Sequence, residues 1–227
     1  MAGEMVSFPS NGQEAEGYLA KPGSGAGPGV VVIQEWWGLV PHIKDVCDRL
    51  AGEGFVALAP DLYHGESTTE PDQAGKLMMG MNVEQSAKDM GGAVAYLGGL
   101  DAASGDKVGC VGFCMGGGLS LWLASQQPQV GACVVYYGVL PPGAEPQYAD
   151  LKGPVLGHFA ENDAMASPAA AREMEAKIRS AGQDAEFHIY SGAEHGFFND
   201  TRPDVHKADA AKQTWERTLA FFRKHLG

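Results

Sequence analysis

Short runs of aliphatic and β-branched residues recur along the chain, separated by longer stretches in which apolar side chains return every three or four positions. The runs are Val30 to Gln34, Phe55 to Ala59, Lys107 to Gly112, Ala132 to Tyr136, Pro154 to Phe159 and Ala185 to Tyr190. Strands that are apolar on both faces, spaced by helical segments, predict a parallel sheet covered on both sides. Between the first two runs, Ile43, Val46, Cys47, Leu50 and Ala51 follow helical spacing, and Pro41 is placed to open that helix. Ala211, Trp215, Thr218, Leu219 and Phe222 repeat the signature near the end of the chain. Right-handed crossovers then put helices on both faces of the sheet. Met5 to Phe8 and Glu14 to Ala20 alternate around "SNGQ", which predicts an antiparallel hairpin at one edge. The expected fold is therefore α/β, with a mostly parallel sheet of about eight strands. Nothing in the sequence repeats or reads as a linker, so residues 1–227 are expected to form a single domain. Gly65 to Met81 is polar and then methionine-rich, without a clear period, and reads as a loop over the site.

Composition narrows the function classes. Apolar residues make up 44% of the 227 positions and charged residues 19%, as in soluble globular proteins. No stretch approaches the ~18 uninterrupted apolar residues of a membrane span. The N-terminal MAGEMVSFPSNGQEAEG lacks a basic start followed by an apolar run, so a cytoplasmic protein is expected. A net charge of −12 opposes nucleic acid and anionic lipid, which leaves small neutral or moderately charged ligands as partners. Assembly is expected to stop at a monomer or a small homo-oligomer. The four cysteines, Cys47, Cys110, Cys114 and Cys133, form no Cys-x-x-Cys pair. Cys47 lies on an apolar helix face, and Cys110 and Cys133 lie within strand-like runs, where a small apolar thiol packs well. Cys114 has a different context.

In a parallel sheet, ligands bind beyond the carboxyl ends of the strands. Four such ends carry unusual residues: "QEWWG" from Gln34, Gly112-Phe113-Cys114-Met115-Gly116, "ENDAMASP" from Glu161 and "SGAEHGFF" from Ser191. Gly-x-Cys-x-Gly has the form of a nucleophile elbow, a turn so tight that the positions two before and two after the nucleophile must be small. The elbow leaves the Met115 N–H facing a developing oxyanion and sets Cys114 at a helix N-terminus, whose partial positive charge favours a thiolate. A nucleophile needs a base and the base an orienting acid, in the chain order nucleophile, acid, histidine, and Asp163 and His195 stand in that order. The alternative for Asp163, capping the helix that starts near Pro168, is better served by Ser167. His42, His64, His158, His188, His206 and His225 are scattered singly, and no His-x-x-x-His spacing calls for a metal or other cofactor.

With these residues, and with "PDLY" at Pro60 to Tyr63, "GFCMGG", "YYG" at Tyr136 to Gly138 and "EHGF", the chain resembles the dienelactone hydrolase family of α/β-hydrolases over nearly its whole length. The resemblance implies a triad of Cys114, Asp163 and His195, and an oxyanion hole from the N–H groups of Trp36 and Met115. It also implies that Glu35 contacts the resting cysteine and that the Tyr136 hydroxyl lies near the site. Substrate would be an ester or lactone. Family members that act on dienelactone hold its carboxylate with two arginines. Here Asn199 and Pro71 occupy those positions, with Arg202 and Lys76 as the nearest candidate replacements. A bidentate guanidinium is hard to replace, so neutral activated esters are expected over the carboxylate-bearing lactone. Trp37, Met78, Met79, Met81, Tyr136, Phe197 and Asn199 are the expected lining of the substrate pocket, wider and softer for its methionines. A phosphotriester, neutral at phosphorus, is an alternative substrate for the same cysteine. Two other classes stand further off: a redox-active thiol, for which no exposed resolving cysteine is evident, and a non-catalytic binding module, which would leave the triad without a task.

Overall fold

The computed structural model describes residues 2–140 and 145–227. Two strands, β1 (Glu4–Ser10) and β2 (Gln13–Ala20), form the antiparallel hairpin that the alternation predicts, turning at Asn11 and Gly12. Then come β3 (Gly27–Ile33), α1 (Pro41–Gly52), β4 (Val56–Pro60), α2 (Pro71–Gly80) and α3 (Val83–Gly98). The second half is β5 (Ala103–Phe113), α4 (Met115–Gln126), β6 (Val130–Tyr136), β7 (Val155–Ala160), α5 (Pro168–Ser180), β8 (Ala185–Tyr190) and α6 (Ala208–Leu226). All eight strands form one sheet in the order β1-β2-β4-β3-β5-β6-β7-β8. The hairpin joins it through an antiparallel β2–β4 pair, and every pair from β4 to β8 is parallel. Every residue of β4, β6 and β7 is buried, as strands covered on both faces must be.

Side chains of successive strand residues point to opposite faces, and β5 shows which helix lies where. A side chain on Gly109 would meet Phe222 and Leu226 of α6, whereas the Cys110 thiol donates to the Ser120 carbonyl of α4 at 3.5 Å. Helices α4 and α6 therefore cover opposite faces of the central strands. Ser167 caps α5, its hydroxyl accepting from Ala170 N at 3.2 Å, which leaves Asp163 available for another partner.

The expectation of a loop over Gly65 to Met81 is corrected: α2 occupies most of it. Pro71 opens the helix, and Ala, Lys, Leu and Met are good helix formers. Ala74 alone is buried, so there is no apolar stripe from which a period could be read.

Candidate active site

The turn from β5 into α4 places Cys114 at φ 54° and ψ −118°, a left-handed conformation that a non-glycine residue rarely adopts. Its neighbours explain why the turn is rich in glycine. A Cβ on Gly112 would overlap the Gly116 carbonyl, and one on Gly116 would overlap the Gln34 and Ile33 carbonyls at the end of β3. A Cβ on Gly117 would lie 2.7 Å from the Gly138 Cα. The strained backbone is held by its neighbours: Cys114 N donates to Tyr136 O at 3.0 Å, and Cys114 O accepts from Gly117 N at 3.0 Å and Val139 N at 3.2 Å. Cys114 is partly exposed, while Cys47, Cys110 and Cys133 are buried. Among the described residues, neither Met115 N nor Trp36 N donates to a protein acceptor. For Met115 this follows from its place as the first residue of α4, whose N–H has no intrahelical partner.

Asp163 and His195 come together from the loops after β7 and β8. His195 Nδ1 lies 2.7 Å from Asp163 Oδ2. The other carboxylate oxygen, Oδ1, accepts from Met165 N and Ala166 N, each at 2.8 Å, so the acid is locked in orientation. Burial works to raise the Asp163 pKa, but the bond to His195 and the two backbone donors outweigh it and hold the carboxyl below its usual range. Burial likewise works against a charged His195, yet the bond to Asp163 and the adjacent Cys114 raise its pKa to about 10. His195 Nε2 is buried and meets no hydrogen-bond acceptor in good geometry among the described residues. The arrangement is an imidazole held in its charged form by a buried carboxylate and set beside Cys114.

Glu35 is also at this end of the sheet, only 3% exposed. Its partners differ from those the resemblance implies: Asn199 Nδ2 donates to Oε2 at 2.9 Å and the Tyr137 hydroxyl to Oε1 at 3.4 Å, and no hydrogen bond joins it to Cys114 among the described residues. Burial raises the Glu35 pKa against the pull of Asn199, His195 and Tyr137. Tyr136 is a correction. It follows the strand alternation to the α6 side, where its hydroxyl shares a 2.8 Å hydrogen bond with Thr218, away from the Asp163–His195 pair. The next residue, Tyr137, has φ 37°, and this twist at the strand end swings its ring edge-on to His195 at 5.1 Å between centroids.

The expected pocket is corrected in part. Met79 is 82% exposed and Met78 39%, on a helix whose one buried residue is Ala74. Met81 is half-buried and packs against the core. Phe197 is fully buried under Tyr137 and Tyr190 and supports the site from below. Trp36 and Trp37 meet edge to face at 4.8 Å, and the Arg202 guanidinium lies 5.7 Å above the Trp37 ring while pairing with Asp204 at 2.8 Å. Lys76 is exposed on α2. Tyr63, within the "PDLY" stretch, also reaches the site, where its hydroxyl donates to Met115 Sδ at 3.7 Å. The sequence flags the stretch without distinguishing the tyrosine. A cleft of about 260 Å³ opens beside the acid loop, between Val139, Tyr148, Phe159, Met165 and Met174. A larger one of about 760 Å³, around Lys152 and Arg179, lies at the amino ends of β7 and β8, the opposite end of the sheet from Cys114.

The model of the Dienelactone hydrolase family matches residues 15–226. The chain belongs to that family. It is 39% identical to the Aquifex pyrophilus protein named usf, over 99% of both chains. It is 36% identical, with the same coverage, to an Aquifex aeolicus protein provisionally named carboxymethylenebutenolidase. Among solved structures, a provisionally named dienelactone hydrolase from Klebsiella pneumoniae superposes with a TM-score of 0.87 at 32% identity, over 98% of each chain. A dienelactone hydrolase-like promiscuous phosphotriesterase from metagenomic libraries shares the fold, with a TM-score of 0.86 at 22% identity over 99% and 98% of the two chains. This dienelactone hydrolase-family protein is a hydrolase of the ester or lactone class acting on a small molecule. None of its described helices is long and apolar enough to cross a membrane.

Proposed function

We propose that this hydrolase cleaves esters or lactones through a thioester on Cys114, with His195 as base and acid, and Asp163 as the group that orients and charges the imidazole. The Cys114 thiolate attacks the acyl carbon, and the carbonyl electron pair moves onto oxygen, where the N–H groups of Met115 and Trp36 receive it. Collapse of this intermediate expels the alcohol or enol oxygen, which takes its proton from the His195 imidazolium. Water then loses a proton to His195 Nε2 as it attacks the thioester, and the acid leaves with the thiolate restored. The observation that carries this reading is the left-handed Cys114, half-open to solvent, beside a histidine whose other nitrogen is 2.7 Å from a buried aspartate.

Neutral activated esters are the favoured substrates on this reading. The amide of Asn199 faces the site and is already committed to Glu35, and Pro71 starts an exposed helix, so neither offers a charge to a substrate carboxylate. Phosphotriesters are the second reading, because a neutral phosphoryl centre needs no cationic clamp and would meet the same thiolate and N–H groups. The test is Cys114→Ala together with intact-protein and peptide mass spectrometry of wild type quenched during turnover of a p-nitrophenyl ester. An adduct of acyl mass on the Cys114 peptide and an inactive variant are expected. Wild-type kcat/KM in folded Cys114→Ala would refute the mechanism.

A further inference from the structure

Tyr63 is a buried titratable side chain at the site that the acyl-transfer steps leave unused. It follows β4 and is only 7% exposed. Among the described residues its hydroxyl has one acceptor, the Met115 thioether at 3.7 Å, and a thioether sulfur is a weak one. Buried hydroxyls ordinarily find an oxygen or nitrogen partner, so the resting enzyme keeps a poorly used donor against the residue that begins the nucleophile's helix. The turn that carries it is fixed on every side. Asp61 accepts from Tyr63 N at 3.1 Å and from Gly65 N at 2.7 Å, and Leu62 N donates to the Gln34 side chain at 3.2 Å. His64 Nε2 lies 3.5 Å from the fully buried Asp89 on α3. Further on, Thr68 N donates to Trp37 O at 3.0 Å and Ser67 bridges to Gly38. One braced segment therefore touches the backbone beside Trp36 and the side chain of Met115, the two residues that bear the N–H groups. Burial, and after it the charge of Cys114, raise the Tyr63 pKa above the usual tyrosine value, which keeps the hydroxyl protonated and donating.

We infer that Tyr63 is a further catalytic residue, its hydroxyl exchanging the Met115 sulfur for the substrate oxygen as Cys114 attacks and so giving the oxyanion a third hydrogen bond. The inference rests on the acyl-transfer reading above. No bond to hydrogen breaks: the O–H proton stays on the tyrosine and only its acceptor changes. His195 already supplies the proton for the leaving group, and a donor against Met115 lies on the oxyanion side. A hydrogen bond to an anion is about twice as strong as one to a neutral carbonyl, so its effect falls on kcat more than on KM.

The experiment compares wild type, Tyr63→Phe and Cys114→Ala on one p-nitrophenyl ester, and the first two again in alkylation by iodoacetamide. Displacement at a saturated carbon builds no oxyanion. In Tyr63→Phe, kcat is expected to fall ~10–100-fold with KM within about threefold, while the alkylation rate stays at the wild-type value. Fluorinated tyrosine at position 63, which preserves shape but loses its proton at lower pH, is expected to give near wild-type kcat at neutral pH and a new decline on the alkaline side. A kcat within twofold of wild type in Tyr63→Phe, or alkylation falling in step with turnover, would overturn the role. An active Cys114→Ala would instead overturn the acyl-transfer reading itself, so the two failures are distinguishable.

Discussion

Replacing Asp163 by asparagine keeps the size of the side chain and removes its charge. In the wild type the His195 pKa is about 10, against 6.5 for a free histidine. Burial opposes a charged ring, so the rise, ~5 kcal/mol in favour of the imidazolium, comes from its neighbours. The bond to Asp163 favours the charged ring most, and Cys114 beside it comes next. In Asp163→Asn that pull is lost, so the His195 pKa is expected to fall by at least about one unit, ~1.4 kcal/mol or more. An asparagine can also present its amide N–H to Nδ1, which would leave the proton on Nε2 and the base in the wrong tautomer, so the expected loss in kcat/KM is ~10²–10⁴-fold. Histidine-selective ¹³C labelling would follow the ring through its titration, with ester hydrolysis measured on the same preparation. A His195 titration unmoved from wild type, or hydrolysis within threefold of it, would refute the assignment of Asp163 as the source of the ring's charge.

Other outcomes follow from the same geometry. His42 is 2% exposed, and burial lowers its pKa to about 4, with Asp200 only partly offsetting this. Its folded value lies below the unfolded value of 6.5, so stability is lost as pH falls from ~6.5 through 4, by up to ~3 kcal/mol. His42→Leu should therefore raise the Tm at pH 4.5 relative to wild type far more than at pH 8, and equal shifts at both would count against the linkage. Gly116→Ala drives a methyl into the Ile33 and Gln34 carbonyls, so poor soluble yield or a large drop in Tm is expected, and a variant with wild-type Tm would show that the elbow can relax. Glu35→Gln removes a buried carboxylate whose charge acts on His195, so the pH profile of Cys114 alkylation between ~pH 5 and 9 should shift, and an unaltered profile would exclude that coupling. Aryl esters of neutral acids should be turned over ~10–100-fold faster, as kcat/KM, than analogues of equal leaving-group pKa bearing a carboxylate beside the scissile bond. A tenfold preference for the carboxylate would point to Arg202 as the group that holds it.

How legible these features were depended on how tightly chemistry ties a residue type to a place. The spacing of Gly112, Cys114 and Gly116 was readable because the packing of the elbow against β3 and its own helix tolerates nothing larger at the two glycines, and Asp163 and His195 stood out by their order along the chain after Cys114. The parallel sheet was readable from its apolar runs, and the edge hairpin from alternation. Helix α2 was not, since one buried alanine leaves no periodic trace. Tandem tyrosines were ambiguous for a different reason. Strand alternation assigns Tyr136 and Tyr137 to opposite faces, but which of them turns towards His195 depends on a positive φ at Tyr137, a local twist with no compositional sign. The pairing of Asn199 with Glu35 spans 164 positions, and no local pattern reports it.

The close approach of Gly116 to the carbonyls of Gln34 and Ile33 also bears on how this enzyme will fail when heated. The turn at Cys114 is pressed against the end of a central strand, with no cushion of side chain between them. The segment carrying Glu35 and Trp36 cannot drift from Cys114 without parting β3 from β5, which is among the last things a parallel sheet yields. Inactivation should then coincide with global unfolding, and a partly loosened, inactive but compact enzyme should not accumulate on the way.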